Sequence, residues 1–396
     1  MRGLLTAIAV VFAMGTLSAQ SADVVTIGAD SLEYRYTPID QTSRAQTGIE
    51  RFGLCLNDYL AMSHDDGQRV SFSFVGSPAY SVNTGWRLAA GAIMRYRTKG
   101  ADVPHSLSLN AMASLKGCYS VSLDGCNYLG DTRHRLDYGG FMNRGYAYLY
   151  GYGDAESMLA GRGEYLSSTY GAYMHYSCRV TSRFTVGVVA DYNYESLLQS
   201  DGRVEAILEG ADSSFSGLGV GVNFTYSTRR VEDVNLTRGI YLRAEYMLYP
   251  DALTSGVATF HGVNAAFDYY QPLWRGGLLV LNLYGEYHSA STPWFLRATI
   301  GGDDRMRGYH YGRFTGCGVA DAQVELRQRV WEGFVLAGWG GLGVVLSDNM
   351  SALRSEMLPN YGVGLRWYLN PTSVMRVDYG FGRGCKALVV GYSGMF

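Results

Sequence analysis

Hydrophobic and polar side chains alternate along most of this chain with a period of two. Between Ala320 and Val330, Asp321, Gln323, Glu325, Arg327 and Arg329 are polar. The positions between them, Ala320, Ala322, Val324, Leu326 and Val330, are apolar, with Gln328 the one exception. A strand points successive side chains to opposite faces, so this stretch has one charged face and one greasy face. The rhythm recurs. Phe184, Val186, Val188, Ala190 and Tyr192 alternate with Thr185, Gly187, Asp191 and Asn193. Ile240, Leu242, Ala244, Tyr246 and Leu248 alternate with Tyr241, Arg243 and Glu245. Leu279, Leu281, Leu283 and Tyr287 interleave with Asn282, Tyr284, Glu286 and His288. Val363, Leu365, Trp367 and Leu369 frame Arg366 and Tyr368, and Met375, Val377, Tyr379 and Phe381 frame Arg376 and Asp378. A tilted bilayer-crossing strand needs about 9–11 residues, and the runs have roughly that length. One such strand fits a soluble sheet. Many of them, without partner helices, predict an all-β protein: a transmembrane antiparallel β-barrel with its greasy face toward lipid.

Turn signals separate the runs at Asp201-Gly202, Pro250-Asp251, Arg275-Gly276-Gly277 and Asn370-Pro371. Counting runs predicts about eleven strands before Gly301 and about five after Gly316, so about sixteen, an even number as such barrels favour. Short connections should be periplasmic and long ones extracellular, with Gly151–Gly163 and Gln199–Ser216 the candidates for long ones.

The chain's ends read differently. Arg2, the apolar run Leu4–Met14 and Ser18-Ala19-Gln20 predict a signal peptide over residues 1–20. In residues 21–68, Ile49, Phe52, Leu56, Tyr59 and Leu60 recur at helical spacing. They predict a short amphipathic helix over Ser43–Ala61, periplasmic or plugging the barrel, with a pair of short strands as the alternative. Val70–Tyr80 reads as an extended lead-in, and the barrel occupies 69–396. At the far end Leu388, Val390, Tyr392 and Phe396 share a face. Tyr392 and the terminal Phe396 are the expected C-terminal assembly signal, placed at the aromatic girdle.

Composition supports the barrel. The 396 residues include 51 glycines and 32 tyrosines but 8 prolines, against an average glycine usage of about 7%. Small residues let strands bend, and tyrosine suits the water–lipid boundary. Charged residues make up 17%, below the roughly 25% of soluble proteins. A net charge of −2 gives no nucleic-acid footprint. No metal-ligand spacing or cofactor motif occurs, so no cofactor is expected, and outer-membrane lipid is the first expected partner. Of six cysteines, Cys118 and Cys126 could pair if neighbouring strands bring them together; free thiols are the plainer reading.

One segment breaks the rhythm: Gly301-Gly302-Asp303-Asp304-Arg305-Met306-Arg307-Gly308-Tyr309-His310-Tyr311-Gly312-Arg313-Phe314. A loop that folds back into a barrel must be pinned. Arginine does this well because its planar fork bonds carboxylates at two points. Arg307 is the candidate pin, and Glu325, on the lumen face of the next strand, its partner. Gly308 permits a tight tip, and Tyr309 can pack while still hydrogen-bonding. Met306-Arg307-Gly308-Tyr309 resembles the Val-Arg-Gly-Phe/Tyr loop tip of the BamA/TamA-like outer-membrane assembly and translocation family, also called the bacterial surface antigen family. Gly301-Gly302 and Glu325-Leu326-Arg327 match it too. Weaker matches are Tyr80–Gly85, Tyr150–Gly153, Arg238–Leu242 and Arg376-Val377-Asp378-Tyr379. The resemblance covers roughly residues 70–396. It implies a non-enzymatic outer-membrane barrel that inserts or passes polypeptide, or anchors a partner that does. It also implies an inward, pinning role for Arg307 and a periplasmic receptor or client polypeptide as partner.

Three departures qualify this expectation. The family has an aspartate in the strand after the glutamate strand, whereas Leu336-Ala337-Gly338-Trp339-Gly340-Gly341 has no acid. Its mid-barrel Asp-x-Arg is reduced to Ser227-Thr228-Arg229. Its assembly members carry periplasmic POTRA domains, for which residues 21–68 are too short, so the expectation is a short member lacking them. Two competing functions are a passive solute channel and a lipid hydrolase. The second is disfavoured: no Gly-x-Ser-x-Gly occurs, and a lipid hydrolase would need its Ser–His pair facing lipid, whereas His288 sits on a lumen face and His175 lies mid-strand.

Overall fold

A strand with one greasy and one charged face can bury the grease in a core or turn it out to lipid, and the burial pattern shows which. In the computed structural model the described residues are 70–81, 85–97, 104–130, 132–151, 161–233, 236–302, 305–331, 333–346, 357–370 and 373–394. They form β1 (Val70–Ser81), β2 (Gly85–Tyr96), β3 (His105–Ser114), β4 (Tyr119–Tyr128), β5 (His134–Leu149), β6 (Gly163–Arg179), β7 (Phe184–Ser200), α1 (Gly202–Leu208), β8 (Ser214–Ser227), β9 (Arg230–Asp233), β10 (Leu236–Tyr249), β11 (Phe260–Trp274), β12 (Gly277–His288), β13 (Ala298–Ile300), β14 (Phe314–Gly316), β15 (Gly318–Trp331), β16 (Phe334–Leu346), β17 (Leu358–Asn370), β18 (Ser373–Gly382) and β19 (Cys385–Gly394).

Seventeen strands pair antiparallel in one sheet, and β1 returns to β19. β8 and β9 both face β10 and are one stave broken at Thr228-Arg229. The wall therefore has sixteen staves. The short β13 and β14 pair only with each other, inside the loop before β15. The return of β1 to β19 closes the sheet into a barrel, the form in which strands can cross a bilayer. On β15, Asp321, Gln323 and Glu325 are each 6% exposed, whereas Val324 and Leu326 are 46% and 41% exposed. Val188, Val222, Leu342 and Val363 likewise face outward. The greasy faces are on the outside, opposite to a soluble protein. No helix among the described residues is long and apolar enough to cross a membrane.

The ends of the barrel differ. At one end the turns are tight, as at 180–183 and at Arg275-Gly276. At the other, connections are long: 201–213 carries α1, and 289–317 carries β13 and β14. Asp201-Gly202, read as a turn, is the start of α1. Asp201 caps it by accepting from Arg203 N and Val204 N at 3.1 and 2.9 Å. Its other oxygen accepts from Glu164 N at 2.7 Å.

Val70–Tyr80, expected as a lead-in, is a stave of the wall. Cys118 lies just before β4 and Cys126 within it, eight positions on, so about 26 Å of strand separates them. They cannot be bridged, and both are free thiols. The signal peptide, the segment 21–68 with its helix over Ser43–Ala61, and Phe396 lie outside the described residues. Tyr392 is on β19, opposite Met375.

Candidate functional site

Most of the lumen wall is polar, yet the connection between β12 and β15 leaves the rim and packs inside. An apolar cluster holds it there: Ala298, Ile300, Met306, Tyr309 and Phe314 bury against Val319, Val345 and Leu358. Its base is closed by the β13–β14 pair. Its tip has left-handed backbone at Met306 (φ 46°) and Gly308 (φ 121°). A side chain at Gly308 would put Cβ 2.7 Å from the backbone N and C of Phe381. Conversely, a Cβ on Gly380 would sit 2.3 Å from the Arg307 carbonyl oxygen. Two glycines thus let the loop tip and β18 touch backbone to backbone.

Arg307 is buried at this contact. Its guanidinium lies 3.8 Å from the centre of the Trp339 ring. One terminal nitrogen donates to Asp378 Oδ2 at 2.9 Å and the other to Glu325 Oε2. Arg366 bonds the same two carboxylates, Asp378 Oδ1 and, at 3.3 Å, Glu325 Oε1. Arg327 Nε donates to Glu325 Oε1 at 2.6 Å. Asn360 Nδ2 donates to the Arg307 carbonyl at 3.3 Å. Three arginines and two carboxylates therefore share one buried network, the arrangement in which charge removed from water is compensated. Tyr309 fixes the other side of the tip. Its hydroxyl donates to Pro359 O at 2.7 Å and accepts from Arg383 N at 2.8 Å. Its ring meets Phe314 edge-on at 5.4 Å.

The sequence pointed to Glu325 and left a second acid unassigned. That acid is Asp378 on β18, 71 positions from Arg307 along the chain. The stretch Leu336–Gly341, which lacks the family's aspartate, instead supplies Trp339, whose ring takes the guanidinium face. The signal for Asp378 was its place beside Arg376 in an alternating run. Arg305 was missed altogether. It bonds Asp321 Oδ2 and stacks 3.1 Å over the Tyr284 ring. Tyr284 in turn donates to Glu286 at 2.9 Å, and Glu286 meets His288 Nε2 at 2.7 Å. Gly301 and Gly302 both have positive φ, and a Cβ on Gly301 would meet His310 O at 2.7 Å. Arg229, kept from the mid-barrel pattern, lies over Tyr241 at 3.9 Å. Across the lumen, His175 bonds Asp191 at 2.6 Å. Both strand histidines that were weighed for hydrolysis are therefore paired with acids. The loop cluster is made of guanidinium, carboxylate, indole and amide groups, bonded to one another across the loop and the wall.

No family model matches the sequence, and no curated protein does. Solved structures do. BamA from Haemophilus ducreyi lacking POTRA domains 1–3 superposes with a TM-score of 0.58 at 13% identity, over 83% of this chain and 70% of that one. CdiB from Escherichia coli gives 0.55 at 12% identity, and CdiB from Acinetobacter baumannii 0.52 at 16%, each over 82% of this chain. This chain spans 63% and 59% of those two CdiB chains, respectively. A closed sixteen-stave wall, greasy outside, with an arginine-pinned loop inside, is thus a BamA- and CdiB-like β-barrel of the outer-membrane type.

Proposed function

We propose that this barrel sits in a bacterial outer membrane and helps insert outer-membrane proteins or pass polypeptide across that membrane, directly or by anchoring a partner that does. The observation that carries this reading is the Arg307 network. A passive pore needs polar walls. Here the lumen also holds a loop, fixed by a buried set of three arginines and two carboxylates. The expected partners are outer-membrane lipid, a client polypeptide and a periplasmic receptor.

The wall itself supports a working role. β1 runs paired to β2 from Val70 opposite Tyr96 to Ser81 opposite Gly85. Among the described residues its pairing with β19 is a single position, Tyr80 opposite Val390. Pro78 removes one donor from β1. Elsewhere, neighbouring staves are zipped along their length, as β17 and β18 are from Asn360 opposite Gly382 to Asn370 opposite Ser373. In this reading a client pairs with the exposed β1 or β19 ladder once the seam parts.

The test is a cross-link. Cysteines at Tyr80 and Val390 should form a disulfide that stops insertion of a co-expressed outer-membrane protein. Cysteines at Val363 and Tyr379, opposite one another on β17 and β18, should leave it untouched. If the locked seam still supports insertion and translocation, the proposal fails. If instead the locked barrel passes small solutes at the unlocked rate and no client is affected by either pair, the channel reading replaces it. Crosslinking in native membrane followed by co-purification would then identify the chain that docks.

A further inference from the structure

The tight-turn end of the barrel repeats one combination. In the turn between β4 and β5, Leu129 is exposed and Arg133 follows it; between β6 and β7, exposed Val180 is followed by Arg183. Between β11 and β12, exposed Leu273 and Trp274 precede Arg275, and the β8–β10 hairpin presents Arg230. These four arginines are all exposed. The turns are also joined sideways. Arg179 N donates to Arg133 O at 2.8 Å, Ser227 N to Arg183 O at 2.9 Å, and Arg329 N to Gly276 O at 2.7 Å. Beside them, Trp331, Phe334 and Trp367 form a continuous lipid-side stack, with centroids 5.8 and 5.4 Å apart. Asp131, Glu232, Asp233 and Glu332 also occur in these turns, so the basic charge is partly offset. The long-loop end differs in kind, mixing Glu164, Asp201, Glu205 and Glu209 with Arg162 and Arg203.

An apolar side chain that continues the greasy belt to the rim, followed within a few residues by a guanidinium, is the arrangement that suits a phospholipid. The apolar group lies among acyl chains, and the arginine reaches the phosphate with two parallel hydrogen bonds. We propose that the tight-turn rim is an arginine collar for anionic phospholipid headgroups, with Arg133, Arg183, Arg230 and Arg275 as the contacts. This rests on the bilayer-spanning reading. It goes beyond it in assigning a lipid class to one rim. The occupant is lipid rather than an acidic protein because Arg133, Arg183 and Arg275 each follow an outward apolar neighbour, Arg230 shares their rim, and the collar continues the lipid-facing surface.

The experiment is native mass spectrometry of the full-length barrel, released from detergent after titration with phosphatidylglycerol or phosphatidylcholine. Attraction of one arginine at a charged lipid surface corresponds to about a fivefold preference per contact. The unaltered protein should therefore retain phosphatidylglycerol about fivefold more strongly at each occupied position. Replacing all four arginines (R133Q, R183Q, R230Q, R275Q) should abolish that preference, and the four single variants should each lower the number of retained lipids. The pair K116Q and R203Q, at the long-loop end, should keep it. Equal retention of the two lipids by the unaltered barrel overturns the collar and leaves the arginines to an acidic partner chain. So does a preference that survives the fourfold change, or one that K116Q and R203Q remove equally. Heat-modifiable migration and incorporation into a nanodisc, measured on the same samples, separate failure of the collar from failure of the barrel reading.

Discussion

Two long loops leave the same end of this barrel, and they meet opposite fates. The connection 289–317 turns inward and is buried around Met306, Arg307 and Tyr309. The connection 201–213 stays outside as α1, and its one fully buried side chain is Val204. Both carry glycines and charges of both signs. The difference is in the anchors. The first loop sends Arg307 to carboxylates on two staves, Glu325 on the strand that follows and Asp378 on β18. The second is held by Asp201, whose carboxylate accepts backbone N–H groups close to the rim. Charge alone does not draw a loop into a lumen. Charge with a pre-placed buried partner does.

Limited trypsin digestion reads this contrast directly, because Arg203 is exposed while Arg307 is buried. The intact barrel should be cut after Arg203 well before the inner loop. Arg307→Ala should reverse the difference most strongly. Removing one member of a buried ion network costs about 3–5 kcal/mol. The low end is expected, because Arg327 and Arg366 still face Glu325 and Asp378. The inner loop should then be cut after Arg305 about as readily as α1 after Arg203, with a lowered temperature for heat-modifiable migration. If assembly, migration and digestion are all unaltered, the pin has no function.

Gly380→Ala is a milder test, and it keeps every charge. The added Cβ would meet the Arg307 carbonyl at 2.3 Å, a backbone clash that the loop can relieve only by lifting. Overpacking of this kind costs about 1–3 kcal/mol. Cutting after Arg305 should become measurable but remain slower than in Arg307→Ala. No change in digestion would mean that the close approach of tip and wall is dispensable. Arg305→Gln should have a still smaller effect, roughly 1 kcal/mol, because glutamine can still donate to the buried Asp321, which also accepts from Gln323 at 3.4 Å. If Arg305→Gln frees the loop more than Arg307→Ala does, Arg305 is the principal pin and the assignment must be reversed.

How much of this contrast the sequence discloses follows from chain geometry. Period-two alternation reports which face meets lipid, so β15, β17 and β18 were legible residue by residue. β1 was not. Ser71-Phe72-Ser73-Phe74 alternates, but Val75-Gly76-Ser77-Pro78 breaks the rhythm, and its status as a stave follows from closure onto β19. Glu325 was legible because it lies on the strand that follows the loop. Asp378 was not, since only closure of the barrel brings β18 beside the loop tip. Trp339 was read as a gap where an acid should be, because a spacing pattern cannot show that an aromatic face can receive a guanidinium. α1 was hidden within a segment read as a long loop, because seven residues are too few for helical periodicity to emerge.

The outer loop offers the smallest and most conditional effect. Asp201 is exposed, so its anchor is worth no more than a helix cap, about 0.5–1 kcal/mol on replacement by alanine. Backbone N–H groups, that of Glu164 foremost, hold its carboxyl below the ordinary aspartate value. A carboxylate with a lowered folded pKa stabilises the fold fully above its unfolded value, near 3.8. That contribution fades as pH falls through the folded value. Trypsin does not work there, so pepsin digestion or hydrogen exchange at the amides of Glu164, Arg203 and Val204 must report it. Protection of those amides should drop below about pH 4 in the unaltered chain and be low at every pH in Asp201→Ala. The inner loop should keep its protection through the same range in both proteins. If both loops lose protection together as the pH falls, the two anchors are not independent, and the contrast between a buried pin and a surface cap is wrong.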